Sequence, residues 1–251
     1  MIDLRDFTFT IPIKYDTDDR IENAKFVIEY IRKHMKTNII VCEEDSDKKF
    51  DWVDAEYIFI ESNDPLFHRT KILNMMAKKA KTKYIVNYDI DVILPVDSYK
   101  KAADMIRSGR DMIYPFTVFR TMGRRHLEVL RKNYLIDDIS KDEVVKFGKH
   151  DTSVGGVVFW NKEKFVSIGM ENEHFVSWGW EDLERFERAK KLDTKIDRVK
   201  GDVYHIEHQR KTNSSTSNPM QLKNYNEYIK VKDMPKEKLI DYIKTWEWAR
   251  Y

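Results

Sequence analysis

Residues 83–95 read KYIVNYDIDVILP. An apolar run of strand composition, Tyr84 to Tyr88, delivers two carboxylates, Asp89 and Asp91, and the chain then returns to apolar residues up to Pro95. Side chains alternate along an extended chain, so acids two positions apart project to one side. Such a pair suits a hard divalent cation, Mn²⁺ or Mg²⁺, of the kind that bridges diphosphate oxygens. Two acids past a strand also serve as loop residues or helix caps, so the meaning of the run depends on what surrounds it.

Upstream, strand and helix signals alternate. Phe7 to Ile11 is strand-like, and Asp16 to Asp19 offer N-caps for a helix whose apolar face is Ile21, Ala24, Ile28, Ile31 and Met35. Asn38 to Cys42 is a second strand, Tyr57 to Ile60 a short third, and Pro65 to Lys79 a helix opened by proline. This β-α-β-α-β rhythm predicts an α/β fold with a mostly parallel sheet and right-handed crossovers. Ligands of such sheets sit beyond the carboxyl ends of the strands, where Glu43-Glu44-Asp45 and the Asp89/Asp91 pair both fall. Downstream, Ser98 to Arg107 is a helix stopped at Gly109, Met112 to Phe116 and Val154 to Trp160 are strands, and Asp202 to Ile206 is a strand carrying His205. Asn213 to Pro219 is a loop by composition, and a helical tail runs from about Met220 to Tyr251.

Length and composition bound the function. A chain of 251 residues fits one large domain with a substantial core. Lys+Arg 45 against Asp+Glu 43 leaves a net charge of +2, so no general basic field argues for nucleic acid. The single Cys42 cannot form an internal disulfide and reads as a small core residue, which favours a reducing cytoplasm. The chain shows neither a signal peptide nor an apolar run of the roughly 20 residues that span a bilayer, so any membrane contact would be peripheral, at the inner face.

The segment Trp178-Gly179-Trp180-Glu181-Asp182 opens a helix whose one face is Leu183, Phe186 and Ala189. Two tryptophans around a glycine make a poor core segment but a good platform for the apolar face of a pyranose ring. A carboxylate beside that platform can accept the proton of an attacking hydroxyl. The same acids also suit a helix N-terminus on dipole grounds, and both roles can coexist. In Val203-Tyr204-His205-Ile206-Glu207-His208, strand geometry puts the two histidines on opposite sides, so one metal ligand is expected, with His205 preferred and His208 held in reserve.

Taken together, these blocks resemble the β-1,4-galactosyltransferase group of GT-A glycosyltransferases and the related domains of bacterial chondroitin-type polymerases. Ile11-Pro12-Ile13-Lys14 is similar to the family's Ile-Pro-Phe-Arg, and Phe67-His68-Arg69-Thr70-Lys71-Ile72-Leu73-Asn74 to its Phe-Asn-Arg-Ala-Lys-Leu-Leu-Asn. Asp89-Ile90-Asp91 matches its D-x-D. Gly155-Gly156-Val157 followed by Trp178 to Asp182 resembles Gly-Gly-Val and Trp-Gly-Trp-Gly-Gly-Glu-Asp-Asp, without the two glycines before the glutamate. The resemblance implies a single GT-A (nucleotide-diphospho-sugar transferase, Rossmann-like) domain over 1–230, with a nucleotide part to about 95, an acceptor part beyond it, and a helical tail over 231–251.

It further implies Asp91, Asp89 and His205 as metal ligands, and Asp182 as base with Glu181 holding the sugar. Pro12, Lys14, Glu43, Phe67, Arg69, Asp89, Gly156, Trp178 and Trp180 would contact the substrates. The implied chemistry is inverting transfer of galactose or N-acetylgalactosamine from a UDP-sugar to a saccharide or lipid-linked saccharide, in bacterial surface polysaccharide synthesis, with the Lys211 to Pro219 loop closing over the donor. Ser153 stands where galactose-selective relatives carry tyrosine, which leaves room for a 2-acetamido group. The alternative is an inactive GT-A-like protein that binds sugar or nucleotide. Leu239, Tyr242 and Ile243 share a face of the tail, while Trp246, Trp248 and Tyr251 are types that favour membrane interfaces. The tail is therefore expected to meet a membrane surface, the body of the protein, or a second copy in a homo-oligomer.

Overall fold

The computed structural model describes residues 1–136, 145–147 and 153–250. Its sheet is laid out around β1 (Ile2–Ile13), whose residues from Phe7 onward are all buried, on both faces. That pattern marks a strand covered on two sides, as in parallel sheets. The polar members of the run are satisfied internally: Thr10 Oγ1 donates to the Val86 carbonyl and to Asn87 Oδ1. β1 pairs in parallel with β2 (Met35–Asp45) and β4 (Tyr84–Tyr88), and β2 pairs in parallel with β3 (Glu56–Glu61). Beyond β4, β9 (Val157–Asn161) runs antiparallel to both β4 and β6 (Met112–Tyr114), and β6 is parallel to β10 (Ile196–Arg198). Among the described residues this makes a mostly parallel seven-stranded sheet of order β10-β6-β9-β4-β1-β2-β3.

A smaller sheet of order β5-β11-β7-β8 combines β5 (Val92–Ile93), β11 (Asp202–Ile206), β7 (Val118–Met122) and β8 (Val145–Phe147). It walls one side of the sheet's carboxyl end. The crossovers are helical: α1 (Asp18–His34) joins β1 to β2, and α2 (Arg69–Lys79) joins β3 to β4. α3 (Val96–Arg107) buries Tyr99, Ala102, Ala103 and Ile106, the spacing of one helical face. α4 (Arg125–Asn133) and α5 (Lys162–Ser167) are short, and α6 (Glu181–Lys191) begins at the acidic pair as expected.

Several boundaries differ from the sequence reading. Met35 opens β2 rather than closing the helical face, because α1 runs into the strand without a linker. The α1 N-cap, Thr17, does fall within the expected Asp16 to Asp19 stretch, but its side chain makes no cap bond. Helix α2 starts at Arg69 and not near Pro65. The amides of Phe67 and His68 are taken by Asn213 Oδ1 at 3.0 Å and Glu44 Oε2 at 2.8 Å, which holds that stretch out of the helix. β6 ends two residues before Phe116, and β9 starts at Val157, after Gly156 has turned with φ +87°.

The tail comprises α7 (Gln221–Asp233), which passes through residue 230, and α8 (Lys236–Lys244). Val231, Leu239, Ile243 and Trp246 form a small core of their own, so Trp246 packs inward instead of facing a bilayer. Its ring stacks on Trp248 at 5.1 Å and lies under the Arg188 guanidinium at 5.2 Å. Gly169 permits this closeness: a Cβ there would lie 2.8 Å from Ile243 Cγ2. Tyr251 lies outside the described residues. Among those described, no helix is long and apolar enough to cross a membrane.

Candidate active site

A cavity of about 690 Å³ opens at the carboxyl ends of β1 and β4, between α6 and the smaller sheet. That size falls in the range of small-molecule sites. Of the residues singled out in the sequence, Pro12, Lys14, Phe67, Arg69, Asp89, Asp91, Gly156, Trp178, Glu181, Asp182, His205 and His208 all line it. Glu43 does not. It is fully buried, and its carboxylate accepts the amides of Lys49 and Phe50 and the hydroxyl of Tyr57, so it fastens the loop after β2. Trp180 does not line it either: its ring stacks on Tyr228 at 5.4 Å and meets Tyr225 edge-on at 4.9 Å, both on α7.

Asp89 and Asp91 share the cavity but not a partner. β4 stops at Tyr88 and residues 90–91 form a turn, so the alternation rule of an extended chain does not apply to them. Asp89 accepts Arg69 Nη2 at 2.6 Å, whereas Asp91 turns toward the histidines. The pairing of β5 with β11 sets Val92 opposite His205 and thereby brings Asp91 beside it. His205 Nε2 lies 3.7 Å from Asp91 Oδ1, and His208 Nε2 lies 3.3 Å from Asp91 Oδ2. Both histidines reach the same carboxylate because β11 ends at Ile206, and the chain has left strand geometry before His208.

The chemistry of this donor set fits a divalent cation. The three ligand atoms lie within 4.8 Å of one another. His208 Nδ1 sits 2.9 Å from the Gln209 carbonyl, an acceptor, which orients the ring with Nε2 toward Asp91 Oδ2. Burial pushes the His205 pKa down, favouring the neutral ligand form. Burial opposes ionisation of Asp91, but His205, Arg20 and His208 outweigh it and hold its carboxyl well below the usual range. Asp89 lies outside this cluster; burial raises its pKa, against the pull of Arg69.

Arg69 organises the opposite wall. Besides binding Asp89, its Nη1 lies 4.0 Å from Glu181 Oε1 and 3.9 Å from Asp182 Oδ1. Glu181, at the first turn of α6, accepts the Gly179 amide at 2.9 Å. Burial, aided by the adjacent Asp182, pushes its carboxyl up to about 7. Asp182 is 26% exposed and pairs with Arg185 Nη2 at 2.7 Å, one helical turn on. Gly155 makes room for it: a Cβ there would sit 2.5 Å from Asp182 Oδ2.

The approach to α6 is strained. Ser177, Gly179 and Trp180 all have left-handed φ, of 61°, 113° and 75°, two of them without being glycine. Ser177 is fixed by its amide to the Phe67 carbonyl and by its hydroxyl to Asn213 Oδ1, and Asn218 Nδ2 donates to the Trp178 carbonyl. The 211–219 segment thus rests against the tryptophan arm. Trp178, 37% exposed, presents its ring to the cavity mouth.

Three contributors escaped the sequence reading. Arg20 contacts Asp91 from α1, and no local pattern announces it. Glu171 accepts Asn87 Nδ2 and Arg185 from beneath the site. Arg185 itself carries a readable signal, its i,i+3 spacing from Asp182 on a helix.

Residues 145–210 match the family model described as the N-terminal domain of galactosyltransferase. No curated protein matches the sequence. Among solved structures, the catalytic domain of Drosophila β1,4-galactosyltransferase 7 in complex with xylobiose is similar, at 14% identity and TM-score 0.55, over 92% of this chain and 82% of that one. GalNAc-T7 with UDP, GalNAc and Mn²⁺ is similar at 13% identity and TM-score 0.65, over 95% of this chain and 54% of that one, so this chain spans about half its length. Glucosyl-3-phosphoglycerate synthase from Mycobacterium tuberculosis, in complex with Mg²⁺ and UDP, is similar at 11% identity and TM-score 0.56, over 92% and 81%. With its sheet order, its cavity beyond the carboxyl ends and these likenesses, the chain has the GT-A glycosyltransferase fold, and residues 145–210 within it match the galactosyltransferase model.

Proposed function

We propose that this protein is a metal-dependent, inverting glycosyltransferase that moves galactose or N-acetylgalactosamine from a UDP-sugar to a hydroxyl of a saccharide acceptor. The observation that carries the reading is the juxtaposition, across one cavity, of the Asp91–His205–His208 cluster and the Asp182 carboxylate. Asp91, His205 and His208 would hold the cation, which when bound neutralises charge on the departing diphosphate. Asp182 takes the proton of the acceptor hydroxyl as that oxygen attacks the anomeric carbon from the face opposite UDP. Arg185 and Arg69 fix the direction of the Asp182 carboxylate, and Trp178 offers a face to a pyranose ring. Ser153, which lines the cavity, leaves room for a 2-acetamido group. The UDP, Mn²⁺, Mg²⁺ and xylobiose held by the structural neighbours support the donor and acceptor classes.

Titration of UDP, UDP-Gal and UDP-GalNAc into the protein, with Mn²⁺ and again with EDTA, tests this reading. Binding that requires the metal is expected; equal binding in EDTA would overturn the metal-dependent site, and rejection of UDP-GalNAc would overturn the Ser153 argument. One observation favours a second reading, a binding protein without turnover: the candidate base is already engaged by Arg185 Nη2 at 2.7 Å. The two readings part on donor turnover with saccharide acceptors, which only the enzyme shows.

A further inference from the structure

Arg20 stands in the first full turn of α1, with its amide bonded to the Thr17 carbonyl at 2.9 Å. That turn is held against the end of β11, since Asp19 Oδ2 accepts the Gln209 amide at 2.9 Å. From there the Arg20 side chain, 17% exposed, reaches the cavity and sets Nη1 against Asp91 Oδ2. This is the same oxygen that faces His208 Nε2. The buried Arg20 Nε has no hydrogen-bond partner among the described residues.

A guanidinium and a divalent cation cannot both sit against one carboxylate oxygen without like-charge repulsion at short range. Asp91 is nearly fully buried and needs a counter-charge in either state. A planar guanidinium freed into the same cavity would meet the phosphate oxygens of a nucleotide, which its fork geometry matches. We propose that Arg20 is an exchangeable counter-ion: it occupies Asp91 when the cation is absent, is displaced when the cation binds, and then engages the diphosphate of the donor. Cation and nucleotide binding are thereby coupled through one side chain. This inference rests on the metal reading of Asp91, His205 and His208 given above.

The decisive measurement is calorimetric titration of Mn²⁺ alone into the full-length wild type and Arg20→Met, followed by UDP into each protein saturated with Mn²⁺. Removing the competitor should make Mn²⁺ bind roughly tenfold tighter, the worth of a hydrogen bond to a charged group. Removing the phosphate contact should make UDP bind roughly tenfold weaker for the same reason. The rise in Tm on adding Mn²⁺ should also be larger in Arg20→Met, because its Asp91 has lost its counter-ion. Should Arg20→Met not fold, Arg20→Lys, which keeps the charge but not the fork, is expected to bind Mn²⁺ at least as tightly as wild type and UDP more weakly. A side chain that merely supports the site would give the opposite sign, so weaker or unchanged Mn²⁺ affinity in Arg20→Met, or weaker affinity in Arg20→Lys, overturns this inference alone. Absence of Mn²⁺ binding to wild type and variants alike would overturn the metal reading, and this inference with it.

Discussion

Helix α6 carries two buried arginines a turn apart, and they are used in opposite ways. Arg188 closes a self-contained unit: its Nε and Nη2 donate to Glu184 at 2.7 and 3.1 Å, its Nη1 donates to the Ile168 carbonyl at 2.6 Å, and Trp246 covers its face. Arg185 leaves ends open. It binds Glu171 and the Val154 carbonyl inward, its Nε is unpartnered among the described residues, and its outward contact is Asp182, whose carboxylate faces the cavity. The same ion-pair chemistry thus seals the tail to the body at one step of the helix and aims a carboxylate at the cavity at the next. A closed pair contributes to the fold, while a pair with a solvent-facing member is available for chemistry.

Three experiments break or sharpen this contrast. The largest effect is expected on the open pair: Asp182→Asn should lower turnover by about 10²–10⁴-fold, the worth of a positioned base, while UDP affinity stays within a few-fold of wild type. Steady-state kinetics alongside UDP titration checks it, and full turnover in the variant would remove Asp182 from the mechanism. Next comes the closed pair. Arg188→Met strands a buried Glu184 and should cost about 3–5 kcal/mol in urea unfolding, with turnover per folded molecule unchanged. Combining it with Glu184→Leu should restore most of that loss, because the charge left without a partner is the costly element.

The smallest effect concerns Glu181, beside the open pair. Its folded-state carboxyl lies near 7 against an ordinary 4.5, so the native state binds the extra proton between those values. Native stability therefore falls as pH rises from about 4.5 through 7, by up to about 3 kcal/mol, and Glu181→Gln should abolish that slope. Chemical denaturation of both proteins at pH 5 and pH 8, in EDTA, measures it. Equal slopes would show that Glu181 is ionised throughout.

Legibility in the sequence followed the range of the interaction. The helix from about Ser98 to Arg107, the strand ending at Tyr88, and the helix starting at Glu181 all depend on neighbours within a few positions, and local pattern revealed them. The start of α2 was missed because amides near Pro65 are claimed by Glu44 and Asn213, residues from distant segments. Glu43 by its place at a strand end and Trp180 by its place in a motif read as substrate contacts, yet the fold turns one into a loop fastener and the other onto α7. The arrangement around Asp91 was half visible: the acid and the histidines stand out as residue types, but Arg20 is one charged residue among many on a helix.

The sequence by itself determined the order of strands and helices up to Tyr88, the placing of acids at strand ends, and the glycines and tryptophans before α6, because periodicity, capping and turn chemistry act along the chain. Only the tertiary structure decided which charges meet. The register of β5 on β11 brings His205 to Asp91, the end of β11 at Ile206 releases His208 to join it, and the packing of α1 against that edge supplies Arg20. Those contacts join segments far apart in the chain, and long-range pairing energies rather than local preference select them.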